Sequence, residues 1–250
     1  MQDVFQKVGR LLKEARRVLF ITGAGVSAES GIPTFRGSTA AFTGGRTEEG
    51  MPFEEALSHT TFRQNPQLSW KYFFQLELAI RGKQPNAAHR AMAALQAAGR
   101  SVCVVTQNID GLHQQARSRH VIELHGNMLR LNCTECEHQS CPSTFEGLPP
   151  LPRCPKCQAI VRPNIVLYEE LLPQSALEQF ELEQREGFDL VFSVGTTSVF
   201  HYVAAPVAMA ARQGVPTVEI NPDETPISDL VTFRFDDPAG PTLQRLWENG

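Results

Sequence analysis

Apolar residues along the chain repeat with two different periods. Val8, Leu11 and Leu12 belong to a series with three- and four-residue steps, which predicts a helix from about residue 3 to 16 with one buried stripe. The apolar residues from 18 to 21 are then continuous and are followed by a glycine turn. A run of this kind indicates a strand that is buried on both faces.

Similar short runs recur along the chain and predict further strands at 102–105, 121–124, 190–194, 218–220 and 233–235. Helical patterns separate most of these runs, at 87–98, 175–185 and 202–212. Strands that alternate with helices indicate an α/β fold with a doubly wound parallel sheet.

Two segments interrupt this alternation. Residues 42–82 are helical in pattern and contain no strand, and residues 133–157 are rich in Cys and Pro with little periodicity. Both are expected to be insertions that build a second lobe over the sheet. We therefore expect a single domain, 1–250, with its sheet lobe at 1–36, 84–128 and 160–250, a helical insertion at 37–83 and a second insertion at 129–159.

Composition places the chain among ordinary globular proteins. It has 250 residues, 42% of them apolar, which is enough for one large domain with its own core. Its net charge of -4 offers no concentrated basic surface, so direct nucleic-acid binding is not expected. No apolar run approaches the roughly 18 residues of a membrane span, and the first twenty residues mix charged and apolar positions. We expect a cytoplasmic protein without a membrane partner.

Four cysteines have the spacing of a metal site. Cys133, Cys136, Cys154 and Cys157 form two Cys-x-x-Cys pairs, which can present four thiolates to one tetrahedral Zn²⁺. Two disulfides are the alternative, and a reducing cytosol disfavours them. A four-thiolate site has no open position, so the zinc is predicted to be structural.

The glycine turn after the first strand is a candidate phosphate site. Gly23, Ala24 and Gly25 could let the backbone approach a pyrophosphate at the start of a following helix. The third glycine of the dinucleotide fingerprint is replaced by Ala28, a tolerated variant. A tight turn without a ligand remains the alternative.

Polar residues also follow the strands predicted at 102–105 and 121–124. Asn108 and Asp110 are expected to project on one side of an extended segment and Gln107 on the other. An amide and a carboxylate two residues apart can orient a water or hold a carboxamide, although Asn and Asp before Gly111 are also ordinary turn formers. His125 ends the next strand, where a histidine could remove a proton from a ligand hydroxyl near neutral pH or be purely structural.

Three further segments are candidates for contacting a dinucleotide. Phe35 and Arg36 follow the glycine turn, and an aromatic beside a guanidinium could close over an anionic ligand. The loops that begin at Gly195 and Asn221 follow strands and could meet the sugars of the ligand.

Together these motifs resemble the sirtuins, the NAD-dependent protein-lysine deacylases, over nearly the whole chain. The matching segments are GAGVSAESGIPTFR from Gly23, TQNIDGLH from Thr106, LHG from Leu124 and the four cysteines. The resemblance implies a Rossmann-like domain with a small zinc-binding lobe, here 129–159, and a helical module. It also implies that NAD is the cofactor and that an acyl-lysine protein or peptide is the partner.

The resemblance implies roles for individual residues. His125 would be the general base, which activates a ribose hydroxyl after the acyl oxygen has displaced nicotinamide, and Asn108 and Asp110 would position the nicotinamide end and a water. The expected products are deacylated lysine, nicotinamide and O-acyl-ADP-ribose. The expected NAD-binding residues are Gly23, Ala24, Gly25, Phe35, Arg36, Gln107, Asn108, Ile109, Asp110, Gly195, Thr196, Thr197, Asn221, Asp223 and Ala239.

The chain departs from the sirtuin pattern at several positions. Glu169 stands where a glycine lets the substrate strand approach, so peptide binding is expected to differ. Arg117 replaces another glycine, Tyr202 replaces a common proline and Thr197 a serine, and these changes are expected to adjust loops and leave the reaction intact.

The expected substrate-contacting residues are Phe73, Leu76, Val166, Tyr168 and Glu169. Sirtuins that remove succinyl or malonyl groups carry a Tyr-x-x-Arg pair where this chain has Phe73 and Leu76. We therefore expect acetyl or longer neutral acyl groups, although a buried helix face would explain the same residues.

Three other functions fit part of the pattern. ADP-ribosyl transfer to a protein, or NAD cleavage, would use the same cofactor. An NAD- or ADP-ribose-binding sensor would need the cavity without turnover. A zinc-ribbon interaction module would not explain residues 107–110 or the glycine turn.

Overall fold

The computed structural model describes residues 2–34 and 46–249. Phe35 and Arg36, which the sequence nominates for the NAD site, lie outside this part of the chain. In chain order the elements are α1 (Gln2–Glu14), β1 (Arg17–Thr22), α2 (Gly25–Ala28), α3 (Phe53–Ala56), α4 (His59–Gln64), α5 (Pro66–Ile80), α6 (Ala87–Ala97), β2 (Ser101–Thr106), α7 (Leu112–Gln115), β3 (Val121–Glu123), β4 (Gly126–Cys133), β5 (Gln139–Ser140), β6 (Val161–Ile165), α8 (Gln174–Glu186), β7 (Leu190–Val194), α9 (His201–Arg212), β8 (Thr217–Ile220), β9 (Phe233–Phe235) and α10 (Ala239–Asn249).

Six strands form a parallel sheet in the order β3-β2-β1-β7-β8-β9. This is the Rossmann order, with β1 at the centre and the second half of the sheet continuing from β7. All six predicted strands are confirmed to within a residue at each end. The order reverses between β1 and β7, and ligands of such sheets bind outside the carboxyl ends of the strands at this point.

Helices cover both faces of the sheet, which explains the continuous apolar runs. On one face, α1, α6 and α10 pack against the strands through a buried cluster that includes Leu12, Met92 and Leu246. On the other face, α8 and α9 contribute Phe180 and Val207 to a second cluster. In the described part of the chain no helix is long and apolar enough to cross a membrane.

The second lobe contains a sheet that the sequence analysis did not predict. β4 pairs antiparallel with β5 and β6, and the β4–β6 register shifts between Asn127 and Leu131. Buried and half-buried residues mix irregularly along β4, and β6 contains Pro163, which disfavours a strand prediction. The sequence analysis placed the second insertion at 129–159. Its first residue therefore falls inside β4, and its last residue lies just before β6.

This small sheet shares one core with the helical insertion. Trp70 of α5 is fully buried, contacts Phe145 with ring centroids 5.6 Å apart, and donates a hydrogen bond from Nε1 to the carbonyl of Val161 at 2.9 Å. The same buried cluster includes Met128 and Cys154. The two insertions thus form one lobe with one hydrophobic core.

Gly126 joins the two sheets directly after His125. Its φ of +75° lies in the left-handed region, and a Cβ at this position would lie 1.9 Å from the carbonyl oxygen of Asn164. Glycine is therefore required where β3 ends and β4 begins. The turn places His125 between the parallel sheet and the second lobe.

Candidate active site

A cavity of about 690 Å³ lies between the carboxyl ends of the central strands and the second lobe. Each lining segment on the sheet side follows a strand: Gly23 follows β1, Gln107 follows β2, His125 lies just beyond β3 and Gly195 follows β7. The other side is lined by residues of α5 and by the segment 165–172. The cavity therefore lies at the point where the strand order reverses.

The glycine turn after β1 packs against the loop after β7. The amide of Gly25 donates to the carbonyl of Gly195 at 2.8 Å. A Cβ on Gly23 would lie 2.8 Å from that carbonyl oxygen, and one on Gly195, whose φ is +58°, would lie 2.4 Å from the amide nitrogen of Val26. Close packing of the two loops thus requires these glycines even before a phosphate is considered.

Asn108 and Asp110 meet at the hydroxyl of Ser27. Asn108 Nδ2 donates to Ser27 Oγ at 3.2 Å and to the carbonyl of Gly23 at 3.0 Å, and Ser27 Oγ donates to Asp110 Oδ2 at 2.7 Å. The other carboxylate oxygen of Asp110 accepts from the amide of Leu112 at 2.9 Å. Burial raises the pKa of Asp110, against the lowering effect of these two hydrogen bonds.

The alternation predicted for this segment is confirmed. Gln107 points away from the two residues that meet at Ser27, and its Nε2 donates to Thr196 Oγ1 at 2.8 Å. Ser27 itself was missed as a site residue, because a serine in a glycine turn carries no signal of its own. Its position two residues after Gly25 was the only available clue.

His125 lines the cavity with a half-buried imidazole. Its Nε2 lies 2.8 Å from the hydroxyl of Tyr202, and its backbone carbonyl accepts from the amide of Val166 at 3.0 Å. Burial lowers the pKa of His125, and a hydrogen bond to the backbone of Gln107 acts in the opposite direction. The imidazole is therefore neutral near pH 7 and can act as a proton acceptor.

Four of the five expected substrate residues line the cavity: Leu76, Val166, Tyr168 and Glu169. Phe73 does not; it is fully buried in the core of the second lobe, because it lies on the face of α5 that contacts Trp70. Its assignment to the acyl wall is therefore not supported by its position, and the adjacent turn of α5 presents Leu76 instead.

Three expected NAD residues lie outside the cavity lining: Asn221, Asp223 and Ala239. Asn221 Nδ2 donates to the carbonyl of Thr196 at 2.8 Å, so it supports a residue of the lining. The amide of Asp223 donates to Asn221 Oδ1 at 3.1 Å. Ala239 is 5% exposed and packs in the core at the start of α10. Contact of these three residues with NAD stays a prediction.

The four predicted metal ligands come together in the second lobe. All four sulfur atoms lie within 4.8 Å of one another, and three of the pairs are 3.4 to 3.6 Å apart. A Zn–S bond of about 2.3 Å gives tetrahedral S–S edges of about 3.8 Å, whereas a disulfide needs about 2.05 Å. The amides of Glu135 and Lys156 donate to Cys133 and Cys154, as expected for thiolates. The cluster fits structural Zn²⁺ and leaves no position for a substrate.

Comparison with known proteins agrees with this geometry. The sequence model of the Sir2 family matches residues 23–201. "NAD-dependent protein deacylase 2" of Pseudomonas aeruginosa is 44% identical over 232 residues, which cover 91% of this chain and 90% of that protein. "NAD-dependent protein deacylase 1" of Archaeoglobus fulgidus is 35% identical over 96% of both chains.

The chain belongs to the Sir2 family. Solved structures support the same assignment. A Sir2 homologue in complex with NAD has a TM-score of 0.86 at 33% identity, over 99% of this chain and 93% of that chain. A Sir2 mutant with a deacetylated p53 peptide and 3'-O-acetyl ADP-ribose has a TM-score of 0.86 at 30% identity, over 98% of both chains. The Rossmann-like fold and the sirtuin resemblance are therefore confirmed.

Two of the departures from the Sir2 pattern have a positive φ, in the left-handed region that favours glycine. Arg117 has φ of +71° just after α7, and Glu169 has φ of +74°. The Glu169 carboxylate accepts from the amide and the hydroxyl of Thr60 at 3.0 and 2.7 Å, and these bonds lower its pKa. Glu169 thus turns toward the start of α4 and stays at the edge of the cavity.

The neighbouring residue anchors the same segment. Glu170 forms a two-point ion pair with Arg162, at 2.6 and 3.0 Å, and accepts from the amide of Leu167 at 2.9 Å. Burial alone would raise the pKa of Glu170, but these bonds outweigh it and lower the pKa to about 2. The segment that lines the cavity is therefore held rigidly in this Sir2 protein.

Proposed function

We propose that this chain is an NAD-dependent protein-lysine deacylase. It removes the acyl group from a lysine side chain and releases nicotinamide and O-acyl-ADP-ribose. One observation carries the proposal: a half-buried His125 and the Asn108–Ser27–Asp110 network share the lining of one cavity at the reversal point of the sheet. The deacylase names of relatives at 44% and 35% identity support it.

The cavity fits the dinucleotide in size and in chemistry. Its volume of about 690 Å³ lies within the range of about 300 to 1,000 Å³ that is typical of ligand sites. Gln107 and Asn108 supply amides on the sheet side, and Gly195 and Thr196 supply backbone groups beside the glycine turn. When bound, NAD supplies the ribose carbon from which nicotinamide departs. It also supplies the ribose hydroxyl that takes the acyl group.

His125 is the proton acceptor of this reaction. An imidazole with a lowered pKa is unprotonated near neutrality, and its Nε2 faces the cavity where a ribose hydroxyl can reach it. Asn108 and Asp110 orient the nicotinamide end and a water, since both are fixed by Ser27. Each turnover consumes one NAD and one water for each acyl-lysine.

The lining favours a neutral acyl group. Among the described residues that line the cavity there is no Lys or Arg, and the wall from α5 consists of Leu76, Ala79 and Ile80. The carboxylate of a succinyl group would lie there without a cation, and burying an unpaired charge is costly. We therefore propose acetyl or longer neutral acyl groups as substrates.

Mass spectrometry of matched peptides tests this function. Acetyl-, decanoyl- and succinyl-lysine versions of one peptide are incubated with and without NAD, and lysine, nicotinamide and O-acyl-ADP-ribose are measured. We expect NAD-dependent loss of the acetyl or decanoyl group, and its abolition by His125→Ala. His120→Ala is the matched control, because His120 is exposed and lies outside the cavity lining. A preference for succinyl would refute the acyl assignment.

Two other outcomes would favour the alternative functions. ADP-ribose attached to a partner protein, without O-acyl-ADP-ribose among the products, would indicate ADP-ribosyl transfer. Tight binding of ADP-ribose with no turnover of any peptide would indicate a sensor. We also propose a cytoplasmic location, which fractionation of cells that produce the protein would test.

A further inference from the structure

The hydroxyl of Tyr202 contacts the imidazole that the proposed reaction uses. The hydroxyl oxygen lies 2.8 Å from His125 Nε2, and the two rings meet edge to face with centroids 6.1 Å apart at 80°. Both side chains line the same cavity. The sequence analysis predicted only that Tyr202 would adjust a loop. The family commonly has proline at this position, and proline has no hydroxyl that could contact the histidine.

Local structure fixes the ring of Tyr202. It is the second residue of α9, and its ring stacks on Phe200 with centroids 5.3 Å apart and planes 11° apart. Phe200 lines the mouth of the cavity and is 36% exposed. The aromatic pair therefore holds the hydroxyl in place above His125.

We assign the protonated nitrogen of His125 from its contacts with Tyr202 and with the Gln107 backbone. Its hydrogen bond to the Gln107 backbone raises the pKa of His125, so the imidazole donates an N–H to the Gln107 carbonyl there. Since Nε2 contacts Tyr202, we assign this N–H to Nδ1. The lone pair of Nε2 then accepts from the hydroxyl of Tyr202.

We propose that Tyr202 is a positioning residue for His125: in the ligand-free protein its hydroxyl donates to Nε2 and holds the proton-accepting tautomer, and the ribose hydroxyl of the nucleotide displaces it. This inference rests on the proposed function. Nε2 has one lone pair in the ring plane, so it cannot accept from both hydroxyls at once. Tyr202 thus occupies, before binding, the position that a substrate hydroxyl takes during the reaction.

The other ionisable groups around the cavity have partners of their own. Asp110 is bonded to Ser27, and the carboxylates of the segment opposite His125 are bonded to Thr60 and Arg162. Burial lowers the pKa of His125 and the Gln107 backbone raises it, and both influences stay in place when the hydroxyl of Tyr202 is removed. A substitution at Tyr202 can therefore be detected as a change in the pKa of His125.

Titration of His125 by NMR tests the proposal. The protein is labelled in its histidine side chains, and the pKa of His125 is measured in the wild type and in Tyr202→Phe, each with and without saturating ADP-ribose. The donated hydrogen bond stabilises the neutral imidazole, so its loss should raise the pKa of His125 by about half to one pH unit in the ligand-free protein. With ADP-ribose bound, the two proteins should have the same pKa.

Binding of ADP-ribose provides the second measurement. By calorimetry near pH 8, where the imidazole is neutral in both proteins, Tyr202→Phe should bind ADP-ribose about two- to tenfold more tightly, because no hydroxyl has to be displaced. Tyr202→Pro should also raise the pKa of His125 and tighten the binding of ADP-ribose, as Tyr202→Phe does. Proline is tolerated near the start of a helix, so this variant retains α9. Tyr72→Phe is the control, since it removes a hydroxyl that bonds to Glu49 in the second lobe.

An unchanged or lowered pKa of His125 in ligand-free Tyr202→Phe would overturn the donor role. A difference that persists with ADP-ribose bound, or weaker binding of ADP-ribose, would overturn the displacement. Neither measurement requires turnover. Active deacylation together with an unchanged titration would therefore reject this inference alone, whereas a shifted titration without deacylation would reject the proposed function alone.

Discussion

Replacing Gly126 by alanine tests whether the turn after His125 holds the two sheets together. The φ of +75° costs alanine about 1 to 2 kcal/mol by itself. The new Cβ would lie 1.9 Å from the carbonyl oxygen of Asn164, so that backbone must retreat by more than about 1 Å. Overpacking of this kind costs about 1 to 3 kcal/mol more, which gives a total of about 2 to 5 kcal/mol.

Gly214→Ala is a matched control, because Gly214 has nearly the same φ, +76°, and nothing lies within 4 Å of its Cβ position. Gly214→Ala should therefore be destabilised only by the cost of the positive φ, and not by overpacking. Urea unfolding of the zinc-loaded proteins, followed by circular dichroism, gives the free energy of unfolding of each variant. We also expect Gly126→Ala, but not Gly214→Ala, to lose most of its deacylase activity, because the shift of Asn164 moves the pairing beside His125. Equal destabilisation of the two variants would refute the steric argument.

Three further predictions concern other parts of the molecule. Ser27→Ala removes the hydroxyl that donates to Asp110, so deacylase turnover should fall about tenfold or more, and a rate within twofold of the wild type would contradict the role of the network. The pKa of Glu170 is lowered to about 2 in the folded protein, so its contribution to stability is present above about pH 4.5 and is lost as the pH falls toward 2. Glu170→Gln should therefore make the free energy of unfolding depend less on pH in this range, which urea unfolding at several pH values measures. Cys154→Ser should abolish stoichiometric zinc in elemental analysis and lower the melting temperature, whereas Cys141→Ser, at an exposed cysteine outside the cluster, should retain the metal.

The sequence predicts the parallel sheet well because its inner strands are buried on both faces. These inner strands appear as short apolar runs, and helices with clear stripes separate most of them. The small antiparallel sheet has no such signal, since β4 mixes buried and half-buried residues and β6 contains Pro163. The helix α10 was also missed, although its Leu243 and Leu246 are buried in the core of the sheet lobe.

The candidate site follows the same division. Asn108 and Asp110 were predicted on one side of their segment from the alternation of an extended chain, and the cysteine cluster from its spacing. Contacts between distant parts of the chain were not predictable. Tyr202 is 77 residues from His125, and no local pattern indicates that its hydroxyl reaches that imidazole.

The two insertions share one core, which joins the metal site to one wall of the cavity. Cys154 is buried in the same apolar cluster as Trp70 and Leu76, so a thiolate ligand and a residue of the acyl wall depend on one set of packing contacts. Loss of the ion should loosen the face that meets the peptide while the parallel sheet stays folded. We therefore expect that loss of zinc reduces the selectivity of the protein among acylated peptides before it abolishes nucleotide binding.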